Sequence, residues 1–299
     1  QVRPTGLRNA EAGTVSLQYV VDDGPHVYIE RINVRGNSRT RDHVVRREFD
    51  IGEGDAYNKV LIDRAERRLN NLGYFKSVRI TNEPGSSPDR VVVNVDVEDQ
   101  STGQFSVSGG YSTSDGFIGE VAVSESNFLG RGQFVRLAGS WGQYSQGVDF
   151  SFTEPYFLGH RVAFGFDVFS KFTDNSRYSR YEDRVTGGQL RLGLPIDEAT
   201  TLTLRYSLYE SRIKVPNTWR HPYGDCSVPL PGYTTLNADG SATYPNCTWD
   251  GEASLAIKEA AGTTLTSLLG ATLTYNTLDN TPNPTSGVYA EFKPDVSGP

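Results

Sequence analysis

Residues 105–133 read FSVSGGYSTSDGFIGEVAVSESNFLGRGQ, a serine-rich and glycine-rich stretch whose large apolar residues nevertheless fall on alternate positions. Phe105, Val107, Gly109 and Tyr111 share one parity, and Ser106, Ser108, Gly110 and Ser112 the other. A period of two puts these sets on opposite faces of a strand. Three readings compete for GGYSTSDG: a phosphate cradle, a hairpin of a soluble sandwich, or a hairpin with one face in lipid. A phosphate cradle runs from a strand through its glycine loop into a helix whose N-terminus faces the anion. Here the alternating segment FIGEVAVS follows instead. Asp115-Gly116 is therefore read as the hairpin turn, and Gly109-Gly110 as a kinked, weakly packed part of the strand.

The pattern continues to the end of the chain. Strands are predicted at 104–112, 117–124, 133–141, 147–154, 161–172, 184–194, 201–212, 264–275 and 287–296, longer than the ~5–6 residues usual in soluble sheets. Val135, Leu137 and Trp141 oppose Arg136, Ala138 and Ser140, while Val148, Phe150 and Phe152 oppose Asp149, Ser151 and Thr153. Val162, Phe164, Phe166 and Val168 oppose Ala163, Gly165 and Asp167, and Leu202, Leu204, Tyr206 and Leu208 oppose Thr203, Arg205 and Ser207. A sandwich alternates as well. Small residues and mid-strand charges on the polar face favour a membrane barrel, as do strand lengths near the ~9–11 residues of a tilted crossing. Trp141, Tyr156, Phe157 and Tyr209 are read as aromatic girdles at strand ends. Loop parity agrees: TSDG, GQYSQ, TDNSRYSRYED and 215–262 fall at one end, and NFLGRG, EPYFLGHR, PIDEAT and LDNTPNPTS at the other. The longest loop thus lies distal to the N-terminal residues, as short-inside, long-outside barrels require. Phe128-Leu129-Gly130 recurs as Phe157-Leu158-Gly159, with the apolar pair expected at the membrane boundary and the glycine in the bend.

No run approaches the ~20 apolar residues of a membrane helix. The charge of −7, from 29 basic and 36 acidic residues mixed along the chain, argues against a nucleic-acid partner. Methionine is absent and a strand-like run begins at once, so the segment is expected to start inside a larger precursor. Cys226 and Cys247 share one polar loop; their spacing fits neither a zinc site nor a CxxC motif. They are read as a loop-stapling disulfide of an oxidising compartment, the alternative being two unpaired thiols. His26, His43, His160 and His221 lack any GxSxG or HExxH context. Glu120, Asp149 and Asp167 are read as solvated lumen charges rather than an acid/base pair. No catalytic residue, metal or cofactor is expected.

The first hundred residues are α+β. Alternation at 14–21 and again at 91–97 suggests tandem small domains, the first cut short. Between them a strand at 27–34 is followed by Gly36-Asn37, a short helix over RTRDHVVRREF with Val44, Val45 and Phe49 inward, and a second helix over NKVLIDRAERRLNNLG. Leu61, Ala65, Leu69 and Leu72 supply its apolar stripe and Gly73 its end. A strand at 75–81, a turn at Glu83-Pro84-Gly85 and a strand at 90–97 complete a β-α-α-β-β order.

With RGN after its first strand and LGYF after its second helix, this module resembles a POTRA domain. GYSTSDGFIGEVAVSESNFLGRGQ and EPYFLGHR resemble the opening strands of the BamA-like family of outer-membrane barrel assembly proteins. The resemblance implies α+β POTRA domains followed by an all-β antiparallel transmembrane β-barrel, with about nine of sixteen strands present and the late Val-Arg-Gly-aromatic loop absent. The domains expected are 1–26, the remnant of a preceding POTRA copy; 27–100, the complete barrel-proximal copy; and 101–299, the N-terminal portion of the barrel. An unclosed set of strands leaves edges that lipid cannot satisfy, so a truncated segment is expected.

What the resemblance implies is a non-enzymatic factor that folds and inserts unfolded outer-membrane proteins. Its expected location is the bacterial outer membrane, with the POTRA domain in the periplasm and outer-membrane lipid around the barrel. A client strand would add to Gln104, Phe105, Ser106, Val107, Ser108, Gly109, Gly110 and Tyr111 by β-augmentation, a seam weakened by its two glycines; the bland alternative is that the glycines fit a crowded lumen or a barrel bend. RREF matches the family's contact for an accessory lipoprotein of the assembly complex, implying Arg46, Arg47 and Glu48; otherwise they form an ordinary solvated helix face. Rival readings are a POTRA-barrel protein that secretes a polypeptide, a passive porin, and a soluble sugar-binding sandwich.

Overall fold

The computed structural model describes residues 2–9, 14–21, 26–112, 116–216, 235–236, 238, 242–243, 253–278 and 284–298. They divide into two compact units, Gln1–Thr102 with Leu129–Arg131, and Gly103–Phe128 with Gly132–Pro299.

The first unit opens with an antiparallel pair, β1 (Val2–Asn9), the strand-like run read at the start of the sequence, and β2 (Thr14–Val21). Then come β3 (Tyr28–Arg35), α1 (Asp42–Arg46), α2 (Lys59–Asn71), β4 (Phe75–Pro84) and β5 (Arg90–Asp99), the β-α-α-β-β order. The three strands form a sheet in the order β3-β5-β4, with β5 central, parallel to β3 and antiparallel to β4. Valines dominate β5 because this strand meets the core: Val93, Val95 and Val97 pack with Ile29, Ile32, Val44, Val45, Leu69 and Phe75.

Asn58 caps α2 by accepting the Val60 N–H at 2.9 Å, satisfying one of the orphan donors of the first turn. Its buried stripe is Ile62, Ala65 and Leu69, with Leu72 packed alongside. Leu61, placed in that stripe by the sequence, is only half-buried, because the helix is rotated by about one residue toward Ile62. Gly73 ends the helix at φ +71°. β4 runs on through Glu83-Pro84 to pair Pro84 with Val91, so the turn lies later than Glu83-Pro84-Gly85 suggested. Proline is tolerated there because β4 is a sheet edge.

The second unit is an antiparallel meander of β6 (Gly103–Ser112), β7 (Gly116–Phe128), β8 (Gln133–Gly142), β9 (Ser145–Glu154), β10 (Ala163–Asp174), β11 (Glu182–Pro195) and β12 (Thr200–Lys214). A helical turn, α3 (Ser176–Ser179), lies between β10 and β11. After β12 come a small ribbon, β13 (Thr235–Leu236) with β14 (Ala242–Thr243), and α4 (Leu255–Glu259). The sheet resumes with β15 (Gly262–Asn276), which pairs both β16 (Tyr289–Phe292) and β17 (Asp295–Gly298). The last predicted strand is therefore two short ones, interrupted at Lys293-Pro294, where proline supplies no N–H to the ladder. Counted this way the sheet has 10 strands rather than nine.

β7 outruns its predicted end at Ser124 because a bulge between Glu125 and Phe128 lets pairing resume at Gln133. Asn127 is buried there and accepts the Gly132 N–H at 2.8 Å, while the Glu125 carboxylate accepts the Asn127 N–H at 2.9 Å. A polar SESN run thus continues a strand because its side chains satisfy the bulge. Asp115, Cys226 and Cys247 lie outside the described residues.

Candidate functional site

Register decides which side chains share a face of the large sheet. Val107 pairs with Val121, Val123 with Leu137, Gly139 with Val148, Val168 with Gly188 and Leu204 with Leu192, which puts the aliphatic and aromatic sets of β6 to β12 on one side. That side is uncovered: Phe105, Val107, Leu137, Trp141, Val148, Val168 and Leu190 are all exposed. In a sandwich these residues would be inside, so the sandwich reading fails. Trp141 sits near the end of β8 and Tyr156 and Phe157 just beyond β9, as girdle positions require. Tyr209 does not: it lies within β12 on the polar side, opposite Gly187.

The polar face is cross-linked from strand to strand. Arg136 on β8 bonds Glu120 on β7 at 3.0 Å and also Asp149 on β9. Asp167 on β10 accepts from Ser151 at 2.6 Å and from Arg191 at 2.9 Å, and Gln189 reaches it at 3.2 Å. Ser207 donates to Gln189 at 3.0 Å, and Arg205 meets Asp295 at 2.7 Å. Glu120, Asp149 and Asp167 are thus each held by a guanidinium, an arrangement that orients strands rather than poising a proton donor and a proton acceptor side by side. No group of His, Cys, Asp and Glu suited to a metal occurs among the described residues.

The edge is β6. From Gln104 to Tyr111 every residue is exposed, and among the described residues its sole strand partner is β7. Among the described residues its other row of N–H and C=O groups has no strand partner. Among the described residues a Cβ on Gly109 would meet nothing closer than the Ile118 carbonyl oxygen at 3.7 Å, and one on Gly110 nothing within 4 Å.

The structure separates the three residues of the second predicted surface. Arg46 is the accessible one, its side chain 41% exposed, bonded to Asp42, to Glu53 at 3.3 Å and to the Ile32 carbonyl at 2.8 Å. Arg47 is 14% and Glu48 only 6% exposed in their side chains, 3.8 Å apart. A solvated face does not describe Glu48. The turn before α1 is fixed by Asp99, which accepts from Arg39 N–H at 2.7 Å, Thr40 hydroxyl at 2.8 Å and Ser38 hydroxyl at 3.2 Å. Partial burial raises the Asp99 pKa, yet these donors outweigh it and hold the carboxyl below its ordinary value. Glu53 is also held low, first by the Ile32 N–H it accepts, against a desolvation that opposes, with Arg46 assisting. In the RGN turn Gly36 sits at φ +86°, and a Cβ there would lie 1.9 Å from the Val97 carbonyl oxygen, so no other residue fits. The sequence offered no sign of the Asp99 clasp, whose partners lie about sixty residues apart.

Two repeated turns carry an unforeseen feature. Leu129 and Leu158 adopt φ +53° and +54°, followed by Gly130 and Gly159 at +69° and +79°. The sequence assigned the bend to glycine alone; both residues of each pair make it.

Comparison with known proteins fits this architecture. The chain is 32% identical over 197 residues to the outer membrane protein assembly factor BamA of Neisseria meningitidis serogroup B, covering 64% of this chain and 25% of that protein. It is 27% identical over 288 residues to the BamA of Neorickettsia risticii, covering 96% of this chain and 34% of that one. The chain therefore spans about a quarter to a third of the curated relatives it matches. In fold it superposes on the crystal structure of Haemophilus ducreyi BamA lacking POTRA domains 1–3 with a TM-score of 0.63 at 24% identity, over 100% of this chain and 53% of that one. A POTRA family model, described as a surface antigen variable number repeat, matches residues 27–100. The Omp85 superfamily domain model matches residues 127–299, more than half of the 299, and the chain belongs to the Omp85 superfamily.

Proposed function

We propose that this chain is part of an outer-membrane assembly factor that folds and inserts β-barrel proteins, without catalysing a covalent reaction, its POTRA unit in the periplasm and the uncovered face of its large sheet in lipid. The observation that carries this reading is β6: a strand exposed throughout, paired among the described residues with β7 alone, and lightly tied because two of its residues are glycine. An unfolded outer-membrane protein presents a strand lacking partners, and pairing it with residues 104–111 satisfies both edges by β-augmentation. The names borne by the relatives support the same function. Cysteines placed along residues 104–111 of the full-length gene product and along a client's terminal strand should form disulfides during assembly, in one register. Failure to crosslink in any register sinks the pairing, and recovery of the client outside the cell points instead to secretion.

The α1 region is the proposed docking point for an accessory lipoprotein, with Arg46 as the residue that can touch it, and Arg47 and Glu48 holding it from behind. Arg46→Glu should reduce lipoprotein co-purification while leaving hydrogen exchange at Val93 and Val95 unaltered; unchanged recovery excludes the site. β1 and β2 are proposed as the end of a preceding POTRA copy, 27–100 as the complete copy and 101–299 as the barrel portion.

A further inference from the structure

The apolar face of the large sheet changes character where β11 begins and β12 ends. Arg184 stands directly opposite Arg212, and Glu182 opposite Lys214. All four share parity with Leu190, Leu204 and Leu208, so they lie on the apolar side. Lys214 has Glu182 at 3.3 Å. Among the described residues neither Arg184 nor Arg212 forms an ion pair or hydrogen bond; Arg184 rests its guanidinium over the Phe172 ring, 5.5 Å from the centroid. Glu210, opposite Thr186, and Asp174, opposite Glu182, are the other acids on this side; Glu182 is taken by Lys214 and Asp174 accepts the Ser176 N–H at 2.8 Å, which leaves the two arginines without an ion pair among the described residues. Like charges directly opposite one another on adjacent strands repel, and both arginines remain exposed on a face otherwise made for hydrocarbon.

Two hollows meet here and share Phe172 and Arg184. One, of about 320 Å³, is walled by Phe172, Glu182, Asp183, Arg184, Arg212 and Lys214. The other, of about 470 Å³, runs over Val121, Leu137, Gly139, Trp141 and Val148. The Trp141 ring lies across Gly139, where a Cβ would come within 2.7 Å of it, so the groove has a flat aromatic wall. A charged hollow that opens into an apolar groove is the imprint of an amphiphile with an anionic head.

We propose that the two hollows bind a phosphate-bearing membrane lipid, its phosphate between Arg184 and Arg212 and one acyl chain lying past Phe172 toward Trp141. The guanidinium fork matches phosphate oxygens bidentately, and an anion between two opposed arginines removes their repulsion. Both arginines lie two residues from a strand end, the depth at which headgroups meet a barrel wall. A free phosphate would leave the groove unused. The site rests on the apolar face being wetted by lipid and is independent of client pairing at β6.

The test is native mass spectrometry of the full-length gene product released from micelles doped with bis-phosphorylated lipid A, with its phosphate-free analogue, or with inorganic phosphate alone. The lipid A adduct should persist, weaken about tenfold for each of R184Q and R212Q, weaken less in R184K/R212K, which keeps the charges without the forks, and be absent with the phosphate-free analogue. Heat-modifiable gel mobility reports that each variant keeps its barrel. Equal adduct in R184Q/R212Q and the parent, or displacement of the lipid by inorganic phosphate, overturns the proposal. Crosslinking at residues 104–111 should be unaffected by these variants, which separates failure of this site from failure of the assembly reading.

Discussion

If the β6 seam opens because its glycines hold it weakly, alanines there should close it. A Cβ on Gly109 would make an ordinary 3.7 Å contact with the Ile118 carbonyl, and one on Gly110 would touch nothing. Neither glycine has a positive φ. The G109A/G110A variant therefore adds no clash and no backbone strain; its effect comes from removing conformational freedom that an opened strand regains. Each glycine in a strand interior costs ~0.5–1 kcal/mol relative to alanine, so the pair should stabilise the closed seam by about 1–2 kcal/mol, a factor of roughly 5–30 in the opened population. Hydrogen exchange of the β6 amides that bond β7 in the full-length gene product measures that population, because a bonded amide exchanges only once its strand opens. Protection should rise by the same factor, and client crosslinking to residues 104–111 should slow in parallel. Unchanged β6 exchange in the double variant would refute the weak-seam argument; slowed exchange with undiminished crosslinking would show that opening is not what limits client pairing.

Other outcomes follow from single contacts. E48K places a cation where a carboxylate side chain is 6% exposed beside Arg47; the buried charge should cost about 3–5 kcal/mol and unfold the first unit, seen as lost exchange protection at Val93 and Val95, so it cannot serve as a clean test of partner docking. G36A combines a left-handed φ with a Cβ 1.9 Å from the Val97 oxygen and should destabilise that unit by about 2–5 kcal/mol, read as a lower denaturation midpoint. Asp99 has a folded-state pKa below its unfolded one, so its contribution is present above about pH 4 and is lost as pH falls through the folded value; D99N should lower stability at pH 7 and remove that acid-side loss, and a wild-type unit whose stability stays flat from pH 5 to 2 contradicts the clasp. L158G should relieve about 1 kcal/mol of left-handed strain, visible as a higher melting temperature of the barrel unit.

The elements legible in the sequence are those in which period and burial agree. Alternation in β8 to β12 told which residues share a face, because a period of two is imposed by the pleat itself. It could not tell what covers that face; exposure of Val107, Trp141 and Leu190 supplies this. The β-α-α-β-β module was legible from its helix stripe and its turn glycines, down to Gly73. The bulge after Ser124 was hidden because a buried Asn127 looks like a surface residue until its partner, the Gly132 N–H, is in place. The break at Pro294 was missed, 287–296 having been read as one strand, although the rule that proline leaves the ladder would have marked it.

The candidate sites divide along the same line. Residues 104–111 could be named because the family resemblance pointed to the first strand of the sheet and Gly109-Gly110 marked it as weakly held. A charge cluster is a property of register. Glu48 sits next to two arginines in sequence and was read with them as one surface, yet α1 turns it inward and leaves Arg46 outside. Arg184 and Arg212 are separated by a whole hairpin in sequence and were not read together, yet the ladder sets them face to face. Shifting β11 by one residue against β12 would bring Arg184 opposite a residue of the polar face and dissolve the lipid site. It would also turn Leu190 and Leu192 inward, where Gln189 and Arg191 now hold Ser207 and Asp167. The same register thus sets both faces: the polar bonds across β10 to β12 on one side fix the positions of the two arginines on the other.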